Sequence, residues 1–341
     1  MCESKLIQTT VASSQRETWV DWNKAILIFL MIVGHAELAS DSIQWTLIYA
    51  FHMPAFFFIS GYLYKPHNWA RTLRSFIVPI MFYSFICFLF FLLLSFAKHE
   101  LDIKNTLLLS LRPFWTQAHC GDITLFTGIW FLEVLLVFRF IMGDVKKITF
   151  INKHGAIISL FLIGFMIIEN KINIPAEIRE TNIYKSLSCF PFFAVGSLLK
   201  NNSKIKNLFL TEGHYATKLI FSISCLIVYI TGTQHIGFVS IWSNDYGGNV
   251  PLFYANAFSA TFLLCIICTY LKRFQIVELY SVGTLLILGC HYMIIILARQ
   301  PIHILNIETP FLPWILGTAI MLLCYFPIKL ALKYCPILLG K

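Results

Sequence analysis

Lys24 and His35 lie eleven residues apart in the first apolar stretch of the chain, DWNKAILIFLMIVGH (21–35). At 100° per residue, eleven steps return to within about 20° of the starting direction, so a helix here carries both on one face, about 16 Å apart along its axis. A charged ammonium at the entrance then looks along one stripe towards an imidazole at depth. Imidazole is the side chain best suited to take or hand over a proton near neutral pH. Asp21, three residues before Lys24, is placed to orient it as an i,i+3 pair.

Other polar residues fall at comparable depth in later apolar stretches. His52 sits in FHMPAFFFISGYLY, Glu133 in TGIWFLEVLLVF and His291 in SVGTLLILGCHY. Ionisable groups at membrane depth are costly and face a cavity or the bundle interior. Three histidines and one carboxylate at one level predict a lined cavity, although each histidine taken singly could bond a neighbouring helix. Pro54, beside His52, frees backbone groups that need partners.

Arg71 and Arg74 form an RxxR just ahead of another apolar run. Three residues apart, they project to one side of a helix, and their guanidinium forks match phosphate oxygens. With Lys65 they make an anion site; ordinary positive-inside charge is the competing explanation. The segment QHIGFVSIWSNDYGGN (234–249) holds no Lys or Arg. Its Trp242, Asn244, Asp245 and Tyr246 suit stacking on a sugar ring and hydrogen bonding to hydroxyls, or else an interfacial loop at headgroup level.

The elements that must position these groups are membrane helices. The 341 residues are 58% hydrophobic and 13% charged, half the charge of an ordinary soluble domain at roughly 25%. Mean hydropathy is +0.74. Ten spans are predicted, over 22–41, 45–64, 75–97, 123–142, 154–170, 183–200, 216–233, 250–271, 281–299 and 311–332, giving an all-α bundle. Nineteen of the 26 Lys and Arg fall on the side of the N-terminus and seven on the other, which places both termini in the cytoplasm. The expected organisation is a cytoplasmic tail over 1–20, a membrane domain over 21–335 and a short cytoplasmic tail over 336–341. The first twenty residues are polar, so the first span is expected to act as an uncleaved insertion signal.

The net charge of +9 is thus a topology signal, and no basic stripe with interleaved aromatics indicates nucleic acid. Most of the ten cysteines lie inside apolar segments and behave as small buried hydrophobes. Cys265 and Cys268 form a CxxC without neighbouring ligands, so no metal and no disulfide framework is predicted.

Taken together, DWNKAILIFLMIVGH, FHMPAFFFISGYLY, ARTLRSFIVP, TGIWFLEVLLVF, CFPFFAVGSLLK, NDYGGNVPLFY and SVGTLLILGCHY resemble the acyltransferase 3 family of integral membrane acyltransferases. The last two blocks are similar to members like fucose 4-O-acetyltransferases. The family's first-helix motif, a basic residue followed eleven positions later by histidine, matches Lys24 and His35, with Lys where many members have Arg. The extra extracytoplasmic hydrolase-like domain of some members is not expected here. The resemblance implies transfer of an acyl group, usually acetyl from acetyl-CoA, to a hydroxyl of a bacterial surface glycan or its lipid-linked precursor in the inner membrane. It implies no bound cofactor, with acyl-CoA as co-substrate and membrane lipids as surroundings. On this basis His35, Glu133 and His291 are the expected catalytic group, and Lys24, Arg71 and Arg74 bind the donor. Asp21, His52, Ser60, Tyr62 and Trp130 support them, and the 242–246 loop meets the acceptor. A secondary transporter or glycan exporter is the competing class, favoured if discontinuous helices occur in matching halves.

Overall fold

The computed structural model describes residues 16–36, 42–65, 68–97, 129–142, 148–169, 175, 178, 181–210, 213–305 and 309–341. The tail before residue 16, the loop 98–122 and most of the loop 171–182 lie outside the described residues.

The described chain is almost wholly helical. It begins with α1 (Thr18–His35), α2 (Ile43–Tyr49), α3 (His52–Tyr62), α4 (Trp69–Ala97), α5 (Ile129–Met142) and α6 (Ile148–Glu169). It continues through α7 (Asn182–Asn201), α8 (Ser203–Leu210), α9 (Tyr215–Ile236), α10 (Val250–Thr269), α11 (Gln275–Ile304) and α12 (Leu312–Tyr334). Between α9 and α10 a two-residue hairpin pairs β1 (Val239–Ser240) with β2 (Asp245–Tyr246). A 3-10 turn, Pro336–Leu339, closes the chain.

Each predicted span overlaps a described helix or helix pair; residues 37–41 and 123–128 of two of them lie outside the described residues. By length and composition, six described stretches can cross a bilayer: Ile43–Tyr62, Trp69–Leu94, Tyr215–Ile236, Val250–Thr269, Gln275–Ile302 and Leu312–Tyr334. Their outward faces carry large apolar side chains such as Phe85, Leu219 and Phe326, as lipid requires. This is an integral membrane protein of helical type.

The second span is not one helix but two. Side-chain capping starts it, with Ser42 accepting from the Trp45 N–H at 3.1 Å. It breaks after Tyr49 and restarts at His52. Pro54, third in the new helix, has no N–H to give the Ala50 carbonyl and its ring crowds that oxygen, so the first helix stops there. The expectation of uninterrupted helices is corrected at this point.

Around this broken span, α3 lies along α7, while α1 is flanked by α11 and α12. The α3–α7 contact is backbone to backbone: a Cβ on Gly61 would stand 1.9 Å from the Phe193 carbonyl oxygen, and one on Gly196 2.0 Å from that of Phe58. Phe57, Trp130, Phe131, Phe138, Phe190 and Phe193 interlock beside it. At one end of the bundle, polar contacts fasten the entry of α1. Arg16 grips Asp21 through Nε at 2.6 Å and Nη2 at 3.0 Å, and also donates to the Glu278 carbonyl at 2.9 Å.

Candidate active site

A cavity of about 1120 Å³ opens at the end of the bundle that carries Arg16 and Lys341. On α1 its wall is Lys24, Ile28 and Met31, successive positions of one helical stripe. His35 is the next position on that stripe. The predicted alignment of Lys24 with His35 is therefore the inner wall of a cavity and its continuation.

The far end of the cavity is formed by Met31, Met53 and Leu288. Each stands one helical turn or less from a histidine: Met31 from His35, Met53 from His52, Leu288 from His291. Neither His35 nor His291 lines the cavity itself; the three imidazoles lie just beyond its apolar end. His35 and His291 have ring centroids 5.3 Å apart. Tyr49 bridges to the third, 6.2 Å from His35 and 5.0 Å from His52. Its hydroxyl donates to the Gly34 carbonyl at 3.3 Å, tying α2 to the end of α1. Tyr292 closes the other side, 6.3 Å from His35.

Two of the imidazoles have their tautomer set by the helix that carries them. His52 Nδ1 lies 2.8 Å from the Ile48 carbonyl, and His291 Nδ1 lies 3.0 Å from those of Ile287 and Leu288. A carbonyl only accepts, so both Nδ1 atoms carry the hydrogen and both Nε2 atoms present a lone pair. The helix break makes the Ile48 contact available to His52. His291 is fully buried, and its Nε2 has no hydrogen-bond partner. His35 alone is half-buried.

Among the described residues five cationic side chains line the cavity, Lys24, Arg71, Arg74, Arg139 and Lys341, and no Asp or Glu side chain does. Arg71 and Arg74 come from the first turns of α4 and Arg139 from the last of α5. Between the cations and the histidines the walls are apolar, with Phe56, Phe131 and Leu135 among them. Such a space suits an elongated ligand with a polyanionic head and a slender tail.

The remaining predicted residues fall in several places. Ser60 lines the cavity. Asp21 accepts hydrogen bonds from Arg16 and, at 2.5 Å, from the Ser281 hydroxyl of α11; Lys24 is neither partner. Tyr62 donates to Glu17 at 2.5 Å, alongside Trp19 and Lys206, each at 2.8 Å. Burial alone would raise the Glu17 carboxyl, but the bonds from Lys206, Tyr62 and Trp19 outweigh it and hold the group below the ordinary 4.5. Trp130 packs against Phe57 in the aromatic core.

Glu133 takes a hydrogen bond from Asn182 at the start of α7, and none of the histidine contacts involves it. Shared depth therefore did not bring it to the imidazoles. In the hairpin loop, Asn244 and Tyr246 are buried. The Tyr246 hydroxyl reaches Ser188 Oγ at 2.8 Å and Asn244 Oδ1 at 3.1 Å, which pins the loop to α7. Asp245 is exposed and accepts from the Gly247 N–H at 3.0 Å; Trp242 is half-buried. Of the four, Asp245 and Trp242 keep surface that a ligand can touch.

Sequence reasoning did not single out four residues around this site: Tyr49, Arg139, Arg299 and Lys341. Arg299 follows His291 by eight residues on α11, a readable signal of a shared face. Among the described residues no group of three His, Cys, Asp or Glu could hold a metal ion. Cys265 and Cys268 are buried and free.

The family model described as an acyltransferase domain, that of the acyltransferase 3 family, matches residues 17–330. No curated protein and no solved structure matches the chain.

Proposed function

From the premise that this chain belongs to the acyltransferase 3 family, we propose that it moves an acetyl or other short acyl group from acyl-CoA to a hydroxyl of a bacterial surface glycan or its lipid-linked precursor. The observation that carries this reading is one arrangement: a cavity lined, among the described residues, by five cationic side chains and no Asp or Glu, ending under three histidines from three helices. Fucose 4-O-acetyltransferase-like members are the subgroup whose blocks the sequence follows, and the inner membrane, with the cavity mouth in the cytoplasm, is the proposed setting.

The length of the stripe fits the donor. The pantetheine arm runs roughly thirteen bonds from sulfur to phosphorus, about 15 Å when extended. Lys24 and His35 are about 16 Å apart by helical rise. Phosphates held by Lys24, Arg71 and Arg74 thus leave the thioester at the imidazoles.

There, His35 accepts the proton of the acceptor hydroxyl as its oxygen bonds to the thioester carbonyl carbon. The tetrahedral intermediate collapses, the C–S bond breaks, and the CoA thiolate leaves and takes up the proton. His291 Nε2, buried and holding only a lone pair, is suited to accept from one His35 nitrogen and leave the other as the base. An acyl-histidine that carries the group to the acceptor is the covalent variant of the same chemistry. Asp245 and Trp242 are the loop residues available to an acceptor sugar.

The test is transfer of label from radioactive acetyl-CoA to glycan in membranes carrying the protein. His35→Ala is expected to abolish transfer with insertion intact; retained transfer removes His35 from the chemistry. The break between Tyr49 and His52 favours a second reading, a secondary transporter or glycan exporter. No matching break occurs in α10, α11 or α12, each of which is continuous. A transporter would leave the glycan unlabelled.

A further inference from the structure

The two halves of the broken span point to opposite sides of the imidazoles. α3 runs from His52 to Ser60 and Leu63 on the cavity wall. Trp45 of α2, seven residues before His52 in the same span, therefore stands on the side away from the cavity mouth. Trp45 and Tyr49 are four residues apart and share one face; their rings stack with centroids 3.6 Å apart at 7°. Tyr49 in turn meets His35 and His52. At the other end of the row Phe238, just ahead of β1, lies 6.0 Å from Trp45 at 13°. A file of aromatic rings thus leads from the hairpin to the histidines.

The file keeps surface and polar groups for a ligand. Tyr49 covers one face of the indole at contact distance, whereas Phe238 is nearly parallel but too far off to cover the ring. Trp45 is half-buried and Phe238 is 43% exposed. The indole Nε1–H is buried and, among the described residues, meets no acceptor, which is costly unless a ligand oxygen takes it. Beside it, Gln44 Oε1 accepts from the Trp314 indole at 3.0 Å. An indole N–H only donates, so the amide is oriented with its oxygen to Trp314 and its NH2 turned away. α2 itself is held in place: Tyr229 donates to the Leu47 carbonyl at 2.6 Å, and the helix packs on β1. A platform fixed before the ligand arrives loses little entropy on binding.

We infer that Trp45, with Gln44 and Phe238, binds a neutral sugar ring of the acceptor and presents its hydroxyl to the imidazoles from the side opposite the cavity. The inference rests on the transfer reading proposed above. A pyranose offers what the platform asks for: C–H groups on one face for the electron-rich ring faces, and oxygens for the indole N–H and the amide. An acyl chain would satisfy the rings and leave the buried N–H unpaired. The three side chains are uncharged, and the segment 234–249 that carries Phe238 has no Lys or Arg, so nothing in it is matched to an acidic sugar. Tyr49 separates Trp45 from His35 by a single ring, which keeps a sugar on the platform next to the reacting group.

The test uses membranes carrying the protein, radioactive acetyl-CoA and, as acceptor, glycan extracted from the same cells, with each substrate varied in turn. Trp45→Ala is expected to raise the glycan KM about 10-fold, the worth of one aromatic stack, with the donor KM unchanged. Trp45→Phe, which keeps a ring and drops the N–H, should fall between. Phe238→Ala removes an exposed ring and should raise the glycan KM about 3-fold. A merely structural role for Trp45 would act through Tyr49, lowering turnover and leaving the glycan KM alone. Should Trp45→Ala not insert, Trp45→Phe and Phe238→Ala decide. A glycan KM unmoved in these variants, or a donor KM that rises in step with it, overturns the inference and leaves the transfer reading standing. No labelled glycan with the wild type overturns both.

Discussion

Replacing Gly61 with alanine tests the contact that holds one wall of the cavity. The added Cβ would stand 1.9 Å from the Phe193 carbonyl oxygen, so α3 and α7 must part by about 1.3 Å to restore ordinary contact. A backbone carbonyl inside a helix cannot rotate away as a side chain can. Overpacking of this kind costs about 1–3 kcal/mol, and a gap of roughly 1 Å along the rest of the crossing forfeits up to about half of the dispersion attraction there. The upper figure, about 3 kcal/mol, is therefore expected. At about 2 °C per kcal/mol for a chain of this size, the midpoint for heat-induced loss of monodisperse protein in detergent should fall by roughly 6 °C. Gly196→Ala attacks the same crossing from the other side, 2.0 Å from the Phe58 carbonyl oxygen, and should fall similarly. Gly164→Ala is the control: nothing lies within 4 Å of its Cβ, and helix propensity should leave it neutral or up to about 1 kcal/mol more stable. If Gly61→Ala melts alongside Gly164→Ala, the two backbones are not in contact and the packing argument is wrong.

Asp21→Ala strands Arg16 and Ser281 and should cost about 2 kcal/mol after allowance for the partial exposure of Arg16; it should lower the midpoint and leave the donor KM unchanged, whereas a raised KM with a normal midpoint would place Asp21 at the cavity instead. His291→Phe should cut turnover about 100-fold without changing donor KM, read by labelled transfer; unchanged turnover would release His291 from the reaction. Glu17 is held below its ordinary 4.5 in the fold, so its contribution to stability is complete above that value and is lost as pH falls through the folded one. The wild-type midpoint should therefore drop more steeply than that of Glu17→Gln between about pH 5 and 3, and superimposable curves would refute the clamp around Glu17.

What periodicity carries was legible in the sequence. Apolar runs marked the long helices but not the short, basic α8, and the eleven-residue spacing put Lys24 and His35 on a face that the folded chain uses as a cavity wall and its continuation. RxxR marked two of the five cavity cations. Direction around the bundle was not legible: Glu133 was expected beside the histidines and turns to Asn182, because only the packing of α5 against α7 sets its bearing. Arg139 and Lys341 read as ordinary flanking charge, since their convergence depends on how distant helix ends meet. Asn244 and Tyr246 looked like sugar contacts by type; in the fold the Tyr246 hydroxyl bonds to Asn244 and holds the hairpin to Ser188. Pro54 signalled freed backbone groups; that it also ends α2 follows from its position third in α3.

Relay of a proton along imidazoles requires each ring to receive at one nitrogen and release from the other. His52 and His291 cannot, because Nδ1 of each is tied to a carbonyl of its own helix, so a proton arriving at Nε2 finds no onward exit. The buried pair His52 and His291 can therefore hold a proton at Nε2 but offers it no onward path between helices.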